Sequence, residues 1–184
     1  TGRRDREVRF VKLPNGEAMS VARDITDRKR AERQLTLQAT ILEMIAAGRG
    51  RADVFAALVE GTECLIPDGS CSILILHGDR LHQSVAPSLP TEYTDLIDGM
   101  QIGVNCGACG TAAATGEVVI CQDVQTDART LVLRETLERF SLRACWSVPI
   151  RSSDHSILGT LAIYHNCVRA PQPFEIDLVE RAAV

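Results

Sequence analysis

Aromatic side chains make up only 4% of these 184 residues, so any core must be built largely from aliphatic side chains. No apolar run reaches 18 residues, which excludes a transmembrane helix within this stretch. No basic-then-apolar leader follows Thr1, so no signal peptide is visible. The chain also lacks an initiating Met and is expected to be a piece of a longer protein. The seven cysteines have no regular spacing. Without a secretory leader they point to reduced thiols in a cytoplasmic setting rather than to a disulfide framework. A basic surplus is missing too: the net charge is −4. Residues 1–51 carry 12 Lys/Arg against 7 Asp/Glu, and residues 52–184 carry 8 against 17. An acidic body excludes nucleic acid as its partner, and the basic residues of the first part are interleaved with acids as on a solvated helix face.

What is present reads as a soluble globular chain, 45% hydrophobic and 24% charged. Residues 6–13 alternate charged and apolar side chains (Val8, Phe10, Leu13). Pro14-Asn15-Gly16 is a turn signal, and a second alternating run holds Met19, Val21 and Ile25. Together they predict a β-hairpin, which alone is marginally stable. Asp24 to Asp27 offers helix N-caps, and residues 28–48 contain no Pro or Gly before Gly48. They predict a helix with two apolar faces. One is Ala31, Leu35, Leu42 and Ile45, interrupted by Gln38; the other is Leu37, Ile41 and Met44. A helix with two apolar faces touches two things, so one face is expected on its own domain and the other on a partner helix. One wide face in a single core is the alternative.

A second helix is predicted over Ala52–Leu65, with Val54, Ala57, Leu58, Cys64 and Leu65 as its apolar residues. Strands follow at 71–76 and 81–86, and a short helix at 89–97. The stretch Ile102–Ala113, IGVNCGACGTAA, concentrates Gly103, Gly107 and Gly110 with Cys106 and Cys109 before an Ala triplet. Such glycine density marks positive-φ or close-approach backbone, and the small residues predict a helix seated tightly. Its N-terminus is a place to hold a polar or anionic group. Beyond it come a strand at 118–121, an Asp-rich loop to Asp127, a helix over Thr130–Phe140, strands at 144–150 and 157–164, and a last helix from about Phe174 still running at Val184. The architecture expected is α+β, an antiparallel sheet with helices on its faces.

These residues resemble two known modules in sequence. The hairpin ending Asp24-Ile25-Thr26-Asp27 is similar to the end of a PAS domain passing into a signalling helix. The later run resembles a GAF domain. Its motifs are Gly107-Ala108-Cys109-Gly110-Thr111-Ala112-Ala113, Thr115-Gly116-Glu117, Asp123-Val124 with Asp127, 142–150 (LRACWSVPI) and 158–164 (LGTLAIY). The resemblance implies residues 1–27 as a PAS hairpin, 28–48 as a connecting helix and 49–184 as a GAF domain with a truncated C-terminal helix. It is to GAF domains of bacterial signalling proteins that carry a histidine kinase or a GGDEF/EAL cyclic-di-GMP module. It implies a sensory and dimerisation module: a homodimer through the N-terminal helix (Ala31, Leu35, Gln38, Leu42, Ile45), joined covalently to PAS and output domains. No complete catalytic set is present in this stretch, and the sequence requires no cofactor.

The candidate ligand pocket is Cys109, Gly110, Thr111, Asp123, Asp127, Cys145, Trp146 and Tyr164. If Cys145 faces the core, strand alternation sends Trp146 to the other face. A thiol at a helix start has its thiolate favoured, so Cys109, with Cys121 and Cys145 as partners, is the alternative catalytic set. Locally it resembles the free methionine sulfoxide reductases, although there the second reactive cysteine precedes the strand. The bland reading is small buried core residues. Cys106 and Cys109 as a metal or redox pair lack a second CxxC. His77, His82, His155 and His165 are scattered, which weighs against a haem or iron ligand. No Cys-His pair for a bilin exists, and the residues of cyclic-nucleotide GAF domains are not recognisable. Asp123, Asp127 and Arg129 also read as a helix N-cap cluster.

Overall fold

The computed structural model describes residues 4–14 and 16–183. Strands β1 (Arg6–Lys12) and β2 (Ala18–Asp24) form an antiparallel ribbon in register from Arg6↔Asp24 to Lys12↔Ala18. Asn15, the centre of the predicted turn, lies outside the described residues. Val8, Phe10, Met19 and Val21 are all exposed on this ribbon. Helix α1 (Thr26–Ala46) follows at once. Its start is held by Asp24, whose Oδ1 accepts from Thr26 N at 3.0 Å and from the Thr26 hydroxyl. Leu37, Ile41 and Met44 of α1 are half-buried. Leu37 lies on helix α2 (Arg51–Leu65) at Gly61, where a Cβ would overlap the Leu37 methyl groups, so the two helices cross closely because position 61 has no side chain. Cys64, expected on the apolar face of α2, is exposed instead, because Val59, Thr62 and Leu65 form the buried stripe.

The body is a six-stranded antiparallel sheet in the order β5-β4-β3-β8-β7-β6. Its strands are β3 (Ser70–His77), β4 (Arg80–Val85), β5 (Met100–Gln101), β6 (Val119–Cys121), β7 (Ala144–Arg151) and β8 (Ile157–His165). The centre of the sheet runs as a near-continuous apolar block because both faces are covered. Gly159 lies between Ile75 and Ile150, and a Cβ there would overlap the Leu74 carbonyl oxygen. The close spacing of β3 and β8 at that point therefore depends on glycine.

Each face has its own core. On one, α2 and helix α6 (Pro173–Ala182) bring Val59, Leu65, Leu178 and Val179 onto Ile73, Trp146, Val148, Leu161 and Ile163. On the other, helices α3 (Thr91–Ile97), α4 (Gly107–Thr115) and α5 (Arg134–Arg139) bring Tyr93, Ile97, Ala112 and Leu137 onto Leu74, Cys145 and Tyr164.

Two elements differ from expectation. The helix expected over 130–140 is a 3₁₀ segment, Ala128–Leu133, followed by α5. Asp127 caps it by accepting from Arg129 N at 2.9 Å, and the Thr130 hydroxyl lies 2.5 Å from the Val124 carbonyl, so side chains compete with the α-helical ladder there. β5 was not expected, since two residues carry no periodicity. Val184, where the last helix was expected to continue, lies outside the described residues.

Candidate ligand and thiol site

The site is built on α4. Gly107 has φ +72°, and a Cβ there would come 2.7 Å from Leu133 Cδ1. At Gly110 a Cβ would lie 2.8 Å from Cys106 Cβ and 3.2 Å from the Gln101 carbonyl. Lacking side chains there, α4 packs closely against Leu133 of the 3₁₀ segment and the β5 backbone. Gly116, with φ +71°, ends it by donating its N–H to Ala112 O at 2.8 Å. Thr111, also buried, donates its hydroxyl to Val104 O at 2.8 Å and ties the preceding loop to the helix.

Beneath α4, strand alternation sets one row of side chains. Cys145 faces Cys121 on β6 and Tyr164 on β8 in direct register, and Ser147 faces Ala162, which faces Ser72 on β3. Cys109 enters this row from above, its Sγ 3.5 Å from Tyr164 Oη. Cys109, Cys145 and Tyr164 are 4%, 3% and 2% exposed. Tyr93 closes the cluster edge-on, with its ring centroid 5.7 Å from that of Tyr164. The hydroxyls of Ser72, Ser147 and Thr160 are fully buried and have no hydrogen-bond partner among the described residues. Buried hydroxyls of this kind are uncommon in native proteins, because each forfeits its hydration.

The electrostatics single out one sulfur. The neighbouring Cys145 thiol, against the opposing effect of burial, holds the Cys109 thiol below its usual range, and the Tyr164 hydroxyl acts in the same sense. Cys145 is correspondingly held protonated, first by this contact and then by burial. Burial pushes the Tyr93 and Tyr164 hydroxyls up. Cys121 is pushed up to about 12 by burial and by the Asp127 carboxylate. The pair Cys109–Cys145 thus shares protons, with Cys109 the first to release one.

Of the residues predicted for the pocket, Cys109, Cys145 and Tyr164 come together, with Gly110 and Thr111 in the helix above them. Asp127 stands at the margin, gripped by Arg129 Nε and Nη2 at 2.9 and 2.6 Å. Its hydrogen bonds with Arg129 hold its carboxyl down at about 2. Asp123 closes its own turn, accepting from Gln125 N at 3.0 Å. Trp146 points to the opposite face, 4.7 Å from the His165 ring, and so does not rim this site. Sequence reasoning missed Tyr93, Ser72, Ser147 and Thr160. The alternation Cys145-x-Ser147 and Thr160-x-Ala162-x-Tyr164 was the signal available for the strand residues.

On α1, Ala31, Leu35, Gln38, Leu42 and Ile45 all lie on the exposed side, Leu35 and Leu42 at 66% each and Ile45 at 57%. Leu37, Ile41, Leu42 and Ile45 border a cleft of about 270 Å³ closed below by Leu58 and Leu178. The four histidines do not converge, and among the described residues no group of three or more His, Cys, Asp or Glu is placed to hold a metal ion. Among the described residues no helix is long and apolar enough to cross a membrane.

The GAF domain family profile matches residues 36–184. The chain belongs to the GAF family. The match begins inside α1 and covers both cores of the GAF domain. The chain is 36% identical over 162 residues to the methyl sulfide methyltransferase-associated sensor of Methanosarcina acetivorans, covering 87% of this chain and 16% of that protein. It spans about a sixth of that relative's length. In structure it is similar to the GAF domain of a phosphoenolpyruvate-protein phosphotransferase from Coxiella burnetii. That match has a TM-score of 0.65 at 16% identity and covers 83% of this chain and 89% of that one. A type II free methionine-R-sulfoxide reductase from Thermoplasma acidophilum matches with a TM-score of 0.59 at 16% identity, covering 72% and 86%. At such identities these two likenesses establish the fold of the GAF domain and nothing finer.

Proposed function

We propose that this chain is a regulatory sensory and dimerisation module of a larger cytoplasmic signalling protein. In this reading the exposed ribbon β1–β2 is the end of a PAS domain, α1 is the helix that relays its state, and an output domain such as a histidine kinase or a GGDEF/EAL module follows the GAF domain. The observation that carries the reading is the two-sided α1. One apolar face packs on the GAF domain, while Leu35, Leu42 and Ile45 stand in solvent beside Gln38 at near-heptad spacing. That arrangement supports a parallel pair of α1 helices with Gln38 setting register. Kinship to a protein named as a sensor supports the regulatory half. A signal acts here by changing the relative stability of two helix packings, which a ligand or an upstream domain does only through unequal affinity for them.

Sedimentation equilibrium of the chain tests this. A dimer is expected, and Leu35→Gln with Leu42→Gln is expected to weaken it at least about 100-fold, since each buried leucine contributes about 1.5–3 kcal/mol. The monomer should stay folded because both side chains are already exposed in it. A chain that remains monomeric at high micromolar concentration refutes the reading.

Cys109, against Tyr164 and in one buried cluster with Cys145, favours a second reading, a reductase of free methionine sulfoxide. Turnover that vanishes in Cys109→Ser would establish it, and absence of turnover would remove it.

A further inference from the structure

We propose that the hollow between the ribbon, the start of α1 and the turn before α6 is a binding site for a small phosphorylated anion. Binding stands on geometry and charge, and only its consequence for signalling rests on the sensory reading above.

The hollow measures about 640 Å³ and is lined by Arg4, Arg23, Arg28 and Arg30, with Asp24, Asp27 and Gln172. A volume of that order suits a small molecule. Contacts on every side hold its walls in place. The ribbon is locked to α1 at Asp5, which donates its N–H to Thr26 Oγ1 at 3.0 Å, accepts from Ile25 N at 3.0 Å and pairs with Arg33 at 3.3 Å. Arg30 reaches Asp27 at 3.5 Å and lies 4.1 Å over the Phe174 ring of α6. Gln172 belongs to the capping box of α6 and donates its N–H to Glu175 Oε2 at 2.7 Å.

Charge decides what the hollow takes. Four guanidiniums line it against two carboxylates, and the acids nearby are already engaged. Asp24 accepts from the Thr26 N–H at 3.0 Å and from its hydroxyl, and Asp27 pairs with Arg30. Glu7, directly across the ribbon from Arg23, pairs with Arg9 at 3.5 Å. Glu32, one turn along α1 from Arg28, pairs with Lys29 at 3.0 Å. Arg4, Arg23 and Arg28 are left exposed, with no hydrogen bond or ion pair among the described residues. In a chain of net charge −4 this is a local inversion of sign. The surplus of two positive charges matches one phosphate group, which carries about −2 near neutral pH. Guanidinium forks pair with phosphate oxygens, and here they arrive from both the ribbon and α1. A phosphate presents oxygens in three directions, whereas a carboxylate presents them only in its own plane.

A ligand held there joins the ribbon, the first turn of α1 and the turn that opens α6. It favours the arrangement that keeps those three together and so biases the packing of α1.

The test titrates the whole chain calorimetrically with pyrophosphate and, separately, with succinate, in a low-salt buffer free of phosphate and divalent metal. One pyrophosphate is expected per chain, bound more tightly than succinate and weakened as salt screens the exposed charges. Arg23→Gln and Arg28→Gln should each weaken it about tenfold, the effect of one charge-assisted hydrogen bond. Both side chains are exposed and unpaired, so these variants keep the fold. Arg49→Gln, beyond the far end of α1, should leave the affinity unchanged. Absence of saturable pyrophosphate binding overturns the proposal. So does binding undiminished when Arg23 and Arg28 are both replaced, or succinate bound as tightly as pyrophosphate. A monomer that binds pyrophosphate removes only the helix-pairing reading, and a dimer that does not bind it removes only this one.

Discussion

Glu175 offers the sharpest quantitative test of the fold. It sits in the first turn of α6 with its side chain 2% exposed. Both of its carboxylate oxygens lie 2.7 Å from Arg169 Nη2, and Oε2 also accepts the Gln172 N–H at 2.7 Å. Arg169 is better solvated, at 24% exposure, and lies 5.0 Å over the Trp146 ring. Glu175→Gln removes the negative partner but leaves a guanidinium that can turn toward water. The loss should be about 2 kcal/mol for the pair plus about 1 kcal/mol for the weakened cap. Arg169→Met strands a carboxylate with no route to solvent and should cost more, about 4–5 kcal/mol. For a chain of this size each kcal/mol lowers the melting temperature by about 2–4 °C, so Glu175→Gln should lower it by about 6–12 °C. Combining both changes should cost far less than the two added together, since neither charge is then unpaired. Calorimetry of the four proteins closes the cycle. A loss under about 1 kcal/mol for Glu175→Gln, or simple additivity, would show that the pair is not what anchors α6.

Further outcomes follow from the sheet and its margin. Gly159→Ala drives a methyl group into the Leu74 carbonyl and should destabilise by about 3 kcal/mol or more, read as a fall in urea midpoint. Asp127 has its carboxyl lowered from 3.8 to about 2 by Arg129, so it contributes stability that is full above about pH 4 and lost as pH falls toward 2. Asp127→Asn should flatten that acid limb when the urea midpoint is followed from pH 5 to pH 2, and an unchanged slope would refute the assignment. The state of association after substitution of Leu35 and Leu42 completes the set.

Most of the fold was legible because each core element carries its own period. The two sets of apolar residues on α1 could be counted out: Leu35, Leu42 and Ile45 are exposed and Leu37, Ile41 and Met44 half-buried, though Leu42 and Ile45 share one cleft with Leu37 and Ile41. Strand alternation placed Trp146 across the sheet from Cys145. The 3₁₀ segment could not be read, because Asp127 and Thr130 win their backbone groups by side-chain hydrogen bonds that depend on the loop's path. The site was half legible for a related reason. Cysteine and glycine draw attention in a sequence, whereas Ser72, Ser147 and Thr160 look like ordinary strand polarity until burial leaves them unpartnered. Tyr93 reaches the cluster from α3, and nothing local announces that arrival.

The sheet is a partition one peptide thick. Cys145 and Trp146 are consecutive residues, yet one hangs in the thiol chamber and the other lies under Arg169, which grips the first turn of α6. Any displacement of β7 that shifts Cys145 on one face carries Trp146 with it on the other. From the cluster around Cys145 to the root of the last helix the path is therefore a single peptide unit and two side-chain contacts.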